Sequence, residues 1–390
     1  MDKKNVLVGT AESWIALQIV RSLGRKGVNV DCASHYPDAL SFHSRYCSGK
    51  YSYSSPSKGA SFVDDVVGLL EKKEYVLPYF TTEETVLPIS KERKRIQKHT
   101  SLLLPSHETL KLASDKGLLM EFSKKHGIPS PMTYKPSSVD EAVERADELR
   151  YPVVIKPTSS SNARGVNYCK NREELKTKWV QVEKEFPNPL LQEFIPSGGA
   201  AMGFEALFND HSELKASFIH RRIREFPVTG GPSTLRESAD HSQVREYGAK
   251  LLSLLGWQGV AMVEFRIDPR DGIPKLMEIN PRFWGSLALS IASGVDFPYL
   301  RYRLVAEGDI PTVEKYKVGV KCRHLLPDLR YLRHVMLDGP APGGKGRLAT
   351  LISFIPLLDG CWNYDVESID DPLPSVYEFS EPVLKLLRKR

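Results

Sequence analysis

The runs Ala261-Met262-Val263-Glu264-Phe265-Arg266-Ile267 and Leu276-Met277-Glu278-Ile279-Asn280, joined through Asp268-Pro269-Arg270-Asp271-Gly272, read as a β-hairpin. Residue 271 lies midway between Glu264 and Glu278, so a simple register sets these carboxylates opposite one another. The two-residue period of a strand puts Asn280 on the same face as Glu278. Facing carboxylates repel unless a cation stands between them. So small an all-oxygen set suits a hard divalent ion, Mg2+ with Mn2+ as the alternative, whose shell water and phosphate complete. The competing reading is a solvated face on which Glu264, Arg266 and Glu278 pair by charge.

Two lysines upstream weigh on that choice. Lys156 closes the apolar strand Tyr151-Pro152-Val153-Val154-Ile155, where a lone ammonium is costly to desolvate. The small, polar segment Ser159 to Gly165 that follows can offer backbone N–H groups to phosphates, or serve only as a connector. Lys116 is expected in the first turn of a helix capped by Ser114, where the helix dipole disfavours a cation unless an anion is near.

The chain opens as an α/β unit. A strand at Val6 to Val8, a helix carrying Trp14 to Leu23 and a strand at Val28 to Val30 form a βαβ start, continued by a strand at Tyr75 to Phe80 and a helix over Glu84 to Lys98. After Gly9 the next glycines are Gly24 and Gly27, so the GxGxxG cradle is absent and a nicotinamide or flavin cofactor is not expected. From residue 151 to Arg282 short strands alternate with turns, an antiparallel sheet in an α+β arrangement. The predicted organisation is a Rossmann-like domain over 1–107, a two-lobed domain over 108–310 and a C-terminal extension over 311–390.

Composition is that of an ordinary globular protein: 390 residues, 41% hydrophobic, 26% charged, net charge +6. The dense basic run Lys91 to Lys98 has helical spacing and no interleaved aromatics, so a solvated face is expected and a nucleic-acid partner is not. Five scattered cysteines without CxxC spacing point to reduced thiols and a cytoplasmic location. No signal peptide or membrane span is expected.

These elements, in this order, resemble the ATP-grasp superfamily over roughly residues 1 to 300, with the order shared by biotin carboxylase and the D-alanine ligases, and most of all its carbamoyl-phosphate-synthetase-like members with one module. The resemblance implies two lobes gripping ATP behind a Rossmann-like domain. By position within that pattern, Lys116 and Lys156 are the phosphate lysines and Ser161 belongs to the loop over the phosphates. Gln192, Glu193, Phe194 and Ile195 form the hinge strand, whose backbone at Glu193 and Ile195 meets adenine. Glu264, Glu278 and Asn280 are the metal ligands, and Arg282 steadies an acyl phosphate. The implied reaction is an ADP-forming ligation of a small carboxylate to an amine or similar nucleophile.

Arg282 is followed by Phe283-Trp284-Gly285-Ser286, not the Gln and Glu that hold bicarbonate in biotin carboxylases, which speaks against bicarbonate. The segment His220 to Thr234 alternates so as to aim Arg222 and Arg224 at one face, where guanidinium forks suit a carboxylate or phosphate; Gly231 and Ser286 join them as substrate-side candidates. A charged outer strand is the competing reading. The apolar stretch Leu348 to Leu358 is expected to pack on the catalytic core, with docking on a membrane or a lipid-linked substrate as the minority reading. A carboxylase or carbamoyl-phosphate-like enzyme, a non-catalytic ATP-binding regulator, and a homodimer stay open as alternatives.

Overall fold

A computed structural model describes residues 5–158, 164–228, 231–340, 346–355 and 359–388. Strands β1 (Asn5–Val8), β2 (Asn29–Ser34), β3 (Cys47–Ser52) and β4 (Tyr75–Tyr79) form a parallel sheet in the order β3-β2-β1-β4. The helix Trp14–Arg25 starts where the Ser13 hydroxyl accepts the N–H of Ile15, and it buries Ile15, Leu17, Ile19, Val20 and Leu23. The helix expected over Glu84 to Lys98 is two pieces, Glu83–Lys91 and Arg93–Ile96. Arg93 turns its guanidinium to the carbonyls of Leu104 and Pro105 at 2.6 and 2.5 Å, while the rest of the basic run is largely exposed.

A small antiparallel sheet follows, from β5 (Thr133–Tyr134), β6 (Val153–Lys156), β7 (Asn167–Cys169) and β8 (Leu190–Glu193), in the order β5-β8-β6-β7. The helices Val139–Leu149 and Arg172–Glu185 cover it, packing Val143, Ala146, Leu175 and Trp179 on Val153, Ile155 and Leu191. The helix Lys116–Lys125 is capped by Asp115, not Ser114, which ends the preceding helix His107–Ser114. One Asp115 oxygen takes the N–H of both Gly117 and Leu118, at 2.8 and 3.0 Å, satisfying two orphan donors of the first turn.

The large sheet contains β9 (Ala201–Phe208), β10 (Leu214–Glu225), β11 (Ser233–Ser238), β12 (Gly259–Ile267), β13 (Pro274–Asn280), β14 (Lys321–Arg323) and β15 (Asn363–Tyr364). Its order is β13-β12-β9-β10-β11-β14-β15, antiparallel except for β14 against β15. The helix Ser242–Leu254 packs on Phe204, Ala206 and Val263, while Leu207, Phe218 and Met262 join Trp284 and the first helix of the chain in a second core. Residues 311–390, read as an extension, therefore supply two strands of this sheet.

The same C-terminal segment reaches back to the start of the chain. Arg21, almost wholly buried, donates from Nε to Asp371 at 2.8 Å and from Nη1 to the carbonyl of Val366 at 2.8 Å. Arg25 pairs with Asp370 at 2.8 Å.

Candidate active site

The hairpin has the register its sequence suggests. Glu264 is the ladder partner of Glu278, and Met262 of Asn280, with an irregularity just after Glu264. Pairing continues along this row from Glu264 to Gly203 and from Gly203 to His220, so one face of β13, β12, β9 and β10 carries these residues in line.

Each carboxylate has its own cation. Arg222 donates to Glu264 at 2.5 Å, and the Lys116 ammonium lies 3.2 Å from Glu278. Asn280 points its amide nitrogen at Glu264 and Glu278, at 3.2 and 3.4 Å, while its oxygen accepts from Arg282 at 2.8 Å. Amide oxygen and nitrogen exchange by a flip, so Asn280 offers oxygen to an ion only in the turned-over orientation. Among the described residues no group of three His, Cys, Asp or Glu side chains encloses an ion. The donor set is thus two carboxylates and an amide. It fits a hard divalent ion that keeps water and phosphate ligands, and does not form a closed cage.

The electrostatics follow from burial set against these pairs. Burial pushes Glu264 up, Arg222 opposes it and the charge of Glu278 adds to it, leaving Glu264 above its ordinary value. Burial also pushes Glu278 up, but Lys116 and Lys156 outweigh it and hold Glu278 below its ordinary value. Lys156 is pushed down to about 8, chiefly by burial, with Glu278 working against the shift and Lys116 with it. Lys116 thus sits in the first turn of its helix with Glu278 as counter-ion, and its backbone N–H reaches Thr158 O at 2.8 Å.

The hinge strand is more committed than its reading allowed. The N–H of Glu193 donates to Met132 O at 2.8 Å. The Glu193 carboxylate accepts from Arg270 at 2.5 Å, and Arg270 also holds Asp268 at 2.5 Å, tying the tip of the hairpin to the hinge. Gln192 is buried and donates to Thr133 Oγ1 at 2.8 Å; Phe194 meets Tyr168 edge to face at 5.7 Å. Ser161 lies outside the described residues. Past the loop, a Cβ at Gly165 would stand 2.6 Å from Pro157 and 2.7 Å from the Phe186 ring, at φ +76°, so only glycine fits.

Arg222 and Arg224 do not share a target. The register of β10 against β11 shifts between them, and Arg224 turns to the C-terminal segment, donating to Asp328 at 2.5 Å and to Ser353 Oγ at 2.7 Å. Gly231 also has a structural reason: a Cβ there would stand 2.1 Å from the carbonyl oxygen of Phe226. Ser286 is buried and donates to Glu205 Oε1 at 2.6 Å, which His220 Nδ1 also approaches at 2.8 Å. Burial drives Glu205 well up and His220 well down, so the uncharged forms are favoured beneath the row that carries Glu264 and Glu278.

Three groups escaped the sequence reading. Glu205 was signalled only as a lone carboxylate within the apolar run Ala201 to Phe208. Glu83 is pushed up by burial, with Arg282 pulling it down and Glu278 pushing it further, which places it among the charges of the site; an acid in a first helical turn gives no such hint. Arg236, fully buried, pairs with Asp365, and no local pattern joins residues 129 positions apart.

Comparison with known proteins agrees with this architecture. Residues 115–190 match the family model of the carbamoyl-phosphate synthase L chain ATP-binding domain, and residues 211–325 the one described as ATP-grasp in the biosynthetic pathway with Ter operon. A curated relative, the N-terminal section of carbamoyl phosphate synthase large chain from Methanopyrus kandleri, is 27% identical over 237 residues, covering 58% of this chain and 42% of its own. The chain thus spans less than half the length of that relative. Among solved structures, biotin carboxylase from Campylobacter jejuni superposes with a TM-score of 0.66 at 18% identity, over 82% of this chain and 74% of that one. L-amino acid ligase from Bacillus licheniformis gives 0.60 at 16%, over 78% and 76%. With its small antiparallel lobe facing the β12–β13 hairpin behind a parallel α/β unit, the chain has the ATP-grasp fold.

Proposed function

We propose that the protein activates a small carboxylate with ATP and passes the acyl group to an amine or similar nucleophile, releasing ADP and phosphate. The observation that carries this reading is the meeting of Lys116 and Lys156, from the small lobe side, with the Glu264–Glu278 pair of the large sheet. A carboxylate oxygen of the substrate attacks the terminal phosphorus and the bond to ADP breaks; the amine nitrogen then attacks the acyl carbon and phosphate leaves with the amine's proton. Lys116 and Lys156 offset charge on the phosphates, and Lys156, pushed down to about 8 by burial, holds its proton more tightly when an anion arrives. Arg282, oriented by Asn280, is assigned to the acyl phosphate. Mg2+, or Mn2+ in its place, held by Glu264, Glu278 and the turned-over Asn280, would supply Lewis-acid stabilisation of phosphate charge. Positioning and electrostatics then account for the rate without a covalent nucleophile on the protein.

The amine-ligase reading over a carboxylase rests on Phe283-Trp284-Gly285-Ser286 after Arg282. Five free thiols, four of them buried, support the cytoplasmic assignment. The test is ADP release in magnesium, screened over amino acids and small carboxylates in pairs. Release that needs one acid and one amine together supports the reading; release with bicarbonate favours a carboxylase, and none with any pair favours a regulator.

A further inference from the structure

The apolar stretch near residue 350 packs on the protein with one face only. The helices Leu325–Asp338 and Arg347–Ile352 lie together, and their inner side is fixed by polar contacts. Asp328, fully buried, receives Arg224 at 2.5 Å and the Thr234 hydroxyl at 2.7 Å. The Phe354 ring lies under the guanidinium groups of Arg224 and Arg323, at 4.5 and 4.7 Å.

The outer side is apolar and open. Leu348, Leu351 and Ile352 are 71, 51 and 42% exposed, at the i, i+3, i+4 spacing of one helix face, and Ile355, just past the helix, is 45% exposed. Leu329 and Leu337 on the companion helix are also exposed, as is Trp362 just beyond. Arg330, Arg333 and Arg347 are exposed on the same two helices. The exposed acid among their described residues is Asp338, which His334 already engages at 2.8 Å.

We propose that this helical pair docks the protein on an anionic lipid bilayer surface. An apolar stripe flanked by arginines is what an interfacial helix presents, its leucines entering the boundary between headgroups and chains while its cations meet lipid phosphates. Trp362 has the amphipathic ring that settles at that depth. No described helix is long and apolar enough to cross a membrane, so the contact is with one surface. A second copy of the chain fits the face poorly, because a two-fold contact through this face would bring Arg330, Arg333 and Arg347 of both copies together with Asp338 already engaged. The proposal stands whether or not the reading of the ATP site is correct.

The experiment is co-sedimentation of the full chain with vesicles of phosphatidylcholine alone and of phosphatidylcholine with about 30 mol% phosphatidylglycerol, at moderate ionic strength. The protein is expected to sediment with the anionic vesicles and to stay in solution with the neutral ones. Leu351→Glu with Ile352→Glu should abolish sedimentation, and Arg330→Ser with Arg333→Ser should weaken it about fivefold for each arginine. Both variants should keep the wild-type thermal midpoint, since the altered side chains are exposed. Sedimentation that ignores lipid charge, failure to sediment with anionic vesicles, or variants that sediment like wild type would overturn the proposal. So would a dimer in vesicle-free solution that Leu351→Glu dissociates.

Discussion

Glu264 and Glu278 face each other across β12 and β13 with a separate cation on each: Arg222 at 2.5 Å from the first, Lys116 at 3.2 Å from the second. This reverses a sign. From the sequence alone, removing one charge from a repelling pair should leave the apoprotein as stable or more so. With Lys116 3.2 Å from Glu278, the change Glu278→Gln instead removes the carboxylate's attraction for that ammonium, and the expected loss is about 1 kcal/mol. Magnesium-dependent ADP release should fall about a hundredfold or more, the scale of a lost metal ligand. A thermal midpoint and an ADP assay on one preparation measure both; near-normal turnover would remove the metal role.

Lys156 gives a pH signature. Its folded value, about 8, lies below the ordinary 10.5, so between these two pH values the unfolded chain holds a proton that the folded chain has released. Stability of the nucleotide-free protein should therefore rise with pH across that window. Affinity for nucleotide should move the other way, weakening about tenfold per pH unit above 8 as the ammonium is lost, until bound phosphate no longer restores it. Titrating a non-hydrolysable ATP analogue from pH 7 to 10 tests this, with Lys156→Ala expected to be weak and flat throughout.

Asp365→Asn leaves the fully buried Arg236 without its carboxylate. The penalty for an uncompensated buried charge is about 3 to 5 kcal/mol, so a large fall in the urea midpoint is expected. Replacing both partners, Arg236→Met with Asp365→Leu, should recover much of it.

Gly203→Ala tests the row beneath the site. The new Cβ would stand 2.4 Å from the His220 ring, which is held against Glu205 and Ser286. Relief requires the ring or β10 to shift, at about 1 to 3 kcal/mol. Because Gly203 pairs with Glu264, magnesium-dependent turnover should drop more than stability does.

What the sequence made legible was local. The hairpin register followed from a turn centred between two glutamates and needed no other part of the chain. Ser114 was misplaced as a cap because the adjacent Asp115 caps better, receiving two N–H groups where one was sought. The aim of Arg224 was illegible, since strand alternation assumes an unbroken ladder and this one slips by a register step just after Arg222. Its partner Asp328 comes from 104 residues downstream. Strands β14 and β15, three and two residues long, are too short to show any period, so the C-terminal segment could not be recognised as part of the sheet.

The contact between Arg21 and Asp371 has a consequence in time as well as in space. The two residues are 350 positions apart. At roughly 5 to 20 residues per second, the first helix leaves the ribosome roughly 20 to 70 s before its carboxylate is made. Until then the parallel sheet must wait with a guanidinium meant for the interior still in water, so the βαβ unit reaches its final packing only once Asp371 has been synthesised.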